Sequence, residues 1–434
     1  MADEAVGEPL FHRVVGQKVV CSYLQRAIEN ARIAHAYLFT GPSGVGKDAV
    51  ALDFAAALLC EKFDTDSKQA PCRICAQCRL TARLQHPDLH IIVPLPGKTG
   101  ARRAAEDERK QSLSDSLDEK PTGAMAQAPR EEEGGIPDVV QRKLMAAIEE
   151  KAKEPYTPIL LPRALSILIE EIRDWVIDKA YLMPYQARRK VFIITQADRM
   201  NLNAQNAFLK VLEEPPSDTH LFLTCEHEGG LLETIRSRCQ RIVFPPISET
   251  DIEQALCARY PELKENAAPI SRLAGGSFWQ ALELSKMKDW DKLGSMAVDY
   301  FMHCALLDPL KLQEFYTKLL SDEFGGRRIL LGILLLFVSD VALLKAARKG
   351  SQNTTPPLAL PGLRKDGELR AEKLVKNFPR LQPEQAAQAI QAALDYLERG
   401  YTPHSVLTAL SFQLHHALGP QQAAKKQAAK KQAA

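Results

Sequence analysis

The sequence predicts an α/β core, a mostly parallel sheet with helices on both faces, followed by an all-helical C-terminal part. Three observations predict it. The apolar run 35–40 (HAYLFT) passes through a glycine-rich turn into residues 48–60, which are rich in Ala and Leu; a loop that cradles phosphate needs this strand–loop–helix order. Strand and helix signals then alternate from Lys190 to Phe244, the pattern of repeated βα units around a parallel sheet. After Ser248 no convincing strand remains.

Composition limits the alternatives. The 434 residues are 45% apolar and 25% charged with a formal net charge of +2, which excludes wholesale disorder. That length suggests roughly two to four domains. The near-neutral balance argues against a nucleic-acid coat protein while allowing a local basic patch. No run reaches the ~20 apolar residues of a membrane span; the longest, 329–338, stops at Ser339 and Asp340. Asp3, Glu4 and Glu8 break the layout of a secretory signal. A soluble, cytoplasmic protein is expected.

Taken in order, the first strand and its following helix occupy 35–60. From 97 to 155 charged clusters sit among Gly, Ser, Pro and Ala, which reads as a flexible insertion with a short helix near 139–151. Helical spacing resumes at 167–182 through Leu168, Ile172, Trp175, Val176 and Ala180. Residues 190–195 (KVFIIT) form a buried-strand signal, and a helix over 204–214 stops at Pro215 and Pro216. A strand at 220–224, a helix at 231–238 and a strand at 241–244 follow, ended by Pro245 and Pro246. Ser248 and Asp251 have the spacing of a helix N-cap with a first-turn carboxylate. Helices then run to Leu418, interrupted near Gly275 and Gly276 and at 351–362. The low-complexity end, 419–434, reads as a solubilising tail or as a basic arm for DNA; its lysines have no interleaved aromatics.

Residues 41–47 (GPSGVGK) match G-x-x-x-x-G-K. Gly41, Gly44 and Gly46 let backbone N–H groups approach phosphate oxygens, and Lys47 reaches the terminal phosphates. The next residue is Asp48, where the motif has Ser or Thr to ligate Mg²⁺. A carboxylate ~4 Å from an anionic ligand repels it by several kcal/mol at intermediate dielectric. Binding of ATP or ADP is therefore doubtful, and the loop serves either as an altered nucleotide site or for its turn geometry alone. An ATPase also needs an acidic pair at the end of a second strand, yet strand 191–194 runs into Thr195 and Gln196. Asp198 lies further on and reads as a helix-start carboxylate. No hydrolysis in cis is expected.

Of nine cysteines, Cys60, Cys72, Cys75 and Cys78 crowd into nineteen positions. Their spacing suits a closed structural Zn²⁺ site of four thiolates, with an iron–sulfur cluster the distant alternative. His86 and His90 read as structural neighbours, and the remaining cysteines as small buried hydrophobes.

The residues Val15-Gly16-Gln17, 35–47 (HAYLFTGPSGVGK), 204–216 (AQNAFLKVLEEPP) and 234–241 (TIRSRCQR) resemble the bacterial clamp-loader branch of the AAA+ superfamily. The resemblance covers most of the chain outside the insertion, linkers and tail. It implies a RecA-like AAA+ P-loop core over 1–246, carrying a zinc module at about 60–78 and the insertion at about 97–155. A helical lid over 247–298, a helical collar for oligomerisation over 299–418 and the tail 419–434 would follow. In this branch, motor subunits keep an intact P-loop and an Asp-Glu pair, whereas non-motor subunits lose the pair and retain Ser-Arg-Cys, here Ser237, Arg238 and Cys239. This sequence is similar to the second kind. The resemblance then implies that Arg238 acts as an arginine finger on nucleotide held by a neighbouring motor subunit, and that Thr224 fills a polar sensor position. Trp279 stands where a motor lid carries another phosphate-sensing arginine.

The implied function is a stator-like member of a pentameric ring with tau/gamma and delta subunits. The ring opens a sliding clamp and places it on primer-template DNA, driven by ATP bound elsewhere. The alternative is an active motor ATPase of the same branch that tolerates Asp48 and borrows Asp198. A stand-alone DNA-binding module using the lysine tail is a third class.

Overall fold

The computed structural model describes residues 10–30, 32–63, 70–97, 138–264, 266–286, 290–320, 326–349, 381–398 and 401–418. The middle of the expected insertion, the interruption expected at 351–362 and the tail lie outside the described residues.

Five strands form one sheet: β1 Ala36–Thr40, β2 Leu89–Ile92, β3 Lys190–Ile194, β4 Thr219–Cys225 and β5 Gln240–Val243, in the order β2-β3-β4-β1-β5. Every neighbouring pair is parallel. All residues of β1 and β3 are buried, which explains why these segments read as continuous apolar runs rather than alternating ones. Rings from β1, β4 and the exit of β5 pack with Phe54 of the helix Lys47–Leu58. Phe54 stacks on Phe222 at 5.1 Å, and Phe39 meets Phe244 at 5.3 Å.

The parallel arrangement brings the ends of β1, β3 and β4 to one edge. The P-loop, Thr195 and Thr224 therefore come together although they are separated by up to ~180 positions, as expected where a parallel sheet reverses its strand order.

Three details differ from the sequence expectation. The edge strand β2, LHII between Pro87 and Pro94, is only four residues long, too short for its period to register. The stretch 167–182 is broken into Ile169–Ile172, a π-helical turn Arg173–Ile177 and Asp178–Ala180. There Ile172, Val176 and Ala180 are buried, while Trp175 is exposed under the ammonium of Lys179, 4.1 Å from its ring centroid. The helix expected near 139–151 is present as Asp138–Lys153, and what differs is its packing: Val140 and Lys151 are buried, where a solvated segment was expected.

The chain divides into two compact units, one of Met1–Ile252 with Gly276–Gln280, the other of Glu253–Gly275 with Ala281–Ala434. Among the described residues the second unit is all helical. Its core packs Trp290–Leu306, Gly326–Lys349, Pro383–Glu398 and Pro403–Leu418 around Phe301, Phe337, Ile390 and Leu410. A buried polar hub marks its centre. The Tyr300 and Tyr316 hydroxyls lie 2.8 and 2.5 Å from the Ser411 hydroxyl, and both donate to the Leu407 carbonyl. With these polar atoms paired, burial of the hub avoids the penalty of orphaned hydroxyls.

Candidate functional site

The P-loop leaves β1 at Gly41 and enters the helix Lys47–Leu58 with Gly46 as its N-cap. Gly44 and Gly46 have φ of 72° and 99°, values that L side chains rarely adopt. The space around them is filled as well. A Cβ on Gly44 would lie 2.0 Å from Ser277 Oγ, and one on Gly46 would lie 2.9 Å from the Tyr156 hydroxyl. The loop is fixed at its other side by Gln17, whose side-chain amide donates to the Val45 and Pro245 carbonyls at 3.3 and 2.7 Å. This gives the Val15-Gly16-Gln17 motif a structural purpose: it ties the P-loop to the exit of β5.

Lys47 is buried, and its ammonium donates to the Gly41 and Pro42 carbonyls at 2.6 and 2.5 Å. Burial lowers its pKa, against the opposing pull of Asp48. Asp48 has both oxygens engaged. Oδ2 accepts from Lys151 Nζ at 2.8 Å, and Oδ1 accepts from the Thr224 hydroxyl at 2.8 Å. Burial alone would raise the Asp48 pKa, but the Lys151 charge and hydrogen bond, with help from Thr224, hold it below the ordinary carboxylate value. The like-charge penalty expected from the sequence is thus offset by a cation at the end of the helix expected near 139–151. Lys151 has 1% of its side chain exposed, and its other donors reach the Pro155 and Thr157 carbonyls at 3.2 and 3.0 Å.

At the end of β3, Thr195 is buried and donates to the Ile92 carbonyl at 3.3 Å, while the Gln196 amide donates to the Ile159 carbonyl at 3.4 Å. Neither presents a carboxylate. Asp198 accepts the backbone N–H of His227 at 3.1 Å, which accounts for its carboxylate structurally. The remaining cleft is about 230 Å³, with Ser43, Leu160, Arg199, Glu226 and Trp279 among its walls. That is below the ~300 Å³ at which ordinary ligand pockets begin. Trp279 thus joins the rim of the P-loop cleft.

Arg238 lies apart from this cleft, after the short helix Glu233–Arg236. Its side chain is 36% exposed, donates to the Thr234 carbonyl at 3.0 Å and pairs with Glu213 at 3.0 Å. Glu213 is half exposed and belongs to the 204–216 motif. Two of the four stretches that carry the resemblance therefore meet at one exposed ion pair. Next to Arg238 in the chain, Cys239 is buried, and its thiol pKa is pushed up to about 12 by burial. That thiol is inert packing.

The four clustered cysteines converge as their spacing predicted. Their sulfurs all lie within 4.8 Å of one another. A tetrahedral Zn²⁺ with Zn–S of ~2.3 Å requires sulfurs about 3.8 Å apart, so the set fits such an ion after small adjustments. Cys60 follows the helix Lys47–Leu58, and Cys75 caps the helix Ala76–Ala82. Backbone N–H groups of Cys72, Cys75 and Cys78 point at the sulfurs of Cys60, Cys72 and Cys75 at 3.4 Å each, an arrangement that favours thiolate. The Cys60 pKa is drawn down to about 5, first by its hydrogen bond with Cys78, whose own pKa moves up in return. His86 bonds to Gln77 at 2.7 Å and His90 stacks on Phe192 at 4.6 Å, both structural roles. No helix among the described residues is long and apolar enough to cross a membrane.

With this geometry in place, similarity to known proteins is informative. Residues 16–248 match the family model described as DNA polymerase III, delta subunit. The chain is 28% identical over 332 residues to DNA polymerase III subunit delta' of Bacillus subtilis, covering 75% of this chain and 77% of that protein. It is 29% identical over 251 residues to the Pseudomonas aeruginosa protein of the same name, covering 57% of this chain and 54% of that one. It is also 25% identical over 416 residues to DNA polymerase III subunit tau of B. subtilis, covering 90% of this chain and 57% of that protein. The chain therefore spans only about half the length of the latter two.

Proposed function

The chain belongs to the DNA polymerase III delta subunit family, within the clamp-loader AAA+ proteins, and on that premise we propose that it is the delta-prime subunit, a non-motor stator of the clamp loader. The observation that carries this reading is the end of β3. Thr195 and Gln196 stand where an ATPase needs carboxylates, and both are bonded into the fold. In this reading the chain burns no ATP. It holds its place in a ring with tau/gamma and delta subunits while nucleotide on a neighbouring tau/gamma subunit powers clamp opening and loading on primer-template DNA in the cytoplasm. Its chemical contribution is Arg238, whose guanidinium offsets charge developing on the neighbour's γ-phosphate. To reach a partner's nucleotide, Arg238 exchanges Glu213 for phosphate oxygens, an exchange of one charge-assisted pair for another.

The same reading divides the chain into core, lid and collar at about 246 and 298, and assigns Cys60, Cys72, Cys75 and Cys78 to a structural Zn²⁺. That ion would cross-link the end of the P-loop helix to the segment 70–82 and perform no catalysis.

The second reading, a tau/gamma-like ATPase, is favoured by the longer alignment to subunit tau. Steady-state ATP turnover of the purified chain alone separates the two. The stator reading predicts none above background. Turnover that disappears in Lys47→Ala would establish the motor instead.

A further inference from the structure

We propose that the P-loop site is filled by the chain itself: Lys151 takes the place of the divalent cation at Asp48, and the segment that follows it, through Tyr156 to Leu160, occupies the cleft in place of nucleotide. This deepens the non-motor reading by assigning the loss of nucleotide binding to a specific internal occupant.

The residue after the P-loop lysine is the one whose side chain meets the metal in an active site. Here both oxygens of that residue, Asp48, are engaged at 2.8 Å by Lys151 and Thr224. All three donors of the Lys151 ammonium are in turn used, on Asp48, Pro155 and Thr157. The cation is therefore part of a closed network and not a loose surface lysine. Tyr156 completes the seal. Its hydroxyl accepts the Val15 N–H at 2.7 Å, and its ring meets Phe278 edge-on at 4.8 Å. It also lies so close to Gly46 that a Cβ there would be 2.9 Å from its hydroxyl. Gln196, at the position where a catalytic acid is missing, anchors the segment through Ile159. Lys47 is turned onto the loop's own carbonyls. About 230 Å³ of cleft remains beside the loop, and to use it a nucleotide with its metal would have to draw Lys47 off the loop carbonyls and Lys151 off Asp48.

If Asp48 alone disabled the site, restoring the motif with Asp48→Thr would restore binding; if the segment fills the site, it would not. The test is calorimetric titration of ATP with Mg²⁺ into the full-length chain. The native protein and Asp48→Thr are expected to show no binding up to about 1 mM ligand, whereas Asp48→Thr/Lys151→Ala/Tyr156→Ala binds at least tenfold more tightly than that limit. Binding by Asp48→Thr alone overturns the proposal, as does a folded triple variant that stays silent. Amide exchange of residues 151–160 in the native chain is a second test that needs no variant. It is expected to be the same with and without excess ATP and Mg²⁺, and an ATP-dependent change overturns the proposal. Hydrolysis by the native chain would instead sink the non-motor reading; binding regained by an Asp48→Thr protein that hydrolyses nothing would sink only the self-filled site.

Discussion

Lys151 shows how far one side chain can change the meaning of another. Asp48, read alone, repels phosphate; paired with a buried ammonium it becomes a structural joint between the P-loop helix and the helix Asp138–Lys153. Breaking a pair of this kind by removing one partner costs about 3 kcal/mol, because the other charge is left buried. Lys151→Ala is therefore expected to lower the thermal midpoint by several degrees, and Lys151→Met with Asp48→Asn to lower it less. The pair also sets an acid limit. The folded-state pKa of Asp48 lies below its ordinary value of 3.8. Its stabilisation is thus complete above that pH and is lost as pH falls through the folded-state value. Thermal melts from pH 6 to pH 2 should show the native chain losing more stability below about pH 4 than the neutral double variant; parallel curves would remove the pair from the account.

At the scale of elements, the cysteine cluster makes the clearest claim. Its sulfurs are brought together by the end of one helix and the N-cap of another, so a bound ion would hold the two in register. The purified chain is expected to release one zinc per molecule when its thiols are titrated with a mercurial reagent. Cys78→Ser should bind substantially less metal and melt earlier; a native chain free of metal at full stability would contradict the assignment. These elements were readable in advance because the signals that encode them are local: C-x2-C spacing, G-x-x-x-x-G-K, and buried strands such as 190–194 that lie between helices. What escaped was encoded by distance. β2 is an edge strand of four residues whose hydrogen bonds run to β3 about a hundred positions away. Lys151 sits at the end of a helix whose partner, Asp48, is 103 positions earlier. No periodicity in 139–151 distinguishes a lysine bound for solvent from one bound for a buried carboxylate. Trp175 erred the other way: it has helical spacing with Ile172 and Val176, but the π-helical turn and its cover by Lys179 place it outside.

Across the whole molecule the proposed division of labour is chemical. In the proposed reading the chain's own segment narrows the P-loop cleft to about 230 Å³, and the group it would offer to a neighbour is the Arg238 guanidinium, which is paired with Glu213. A formal net charge of +2 over 434 residues gives the chain little long-range attraction for DNA, and the lysines of the tail have no interleaved aromatics on which bases could stack, so in this reading the ring and not the tail carries contact with primed DNA. Deleting residues 419–434 is accordingly expected to leave clamp loading unchanged at physiological salt, as measured by transfer of labelled clamp to a primed template; a loss restored at low salt would return the tail to the mechanism.

The most direct measurement is ATP turnover, stimulated by sliding clamp and primed DNA, in a ring rebuilt from this chain with tau/gamma and delta subunits. Arg238→Ala should assemble normally yet slow hydrolysis at the adjoining motor site by about 10³-fold or more, and Arg238→Lys should not rescue it. Turnover indistinguishable from that of the native ring would contradict the account.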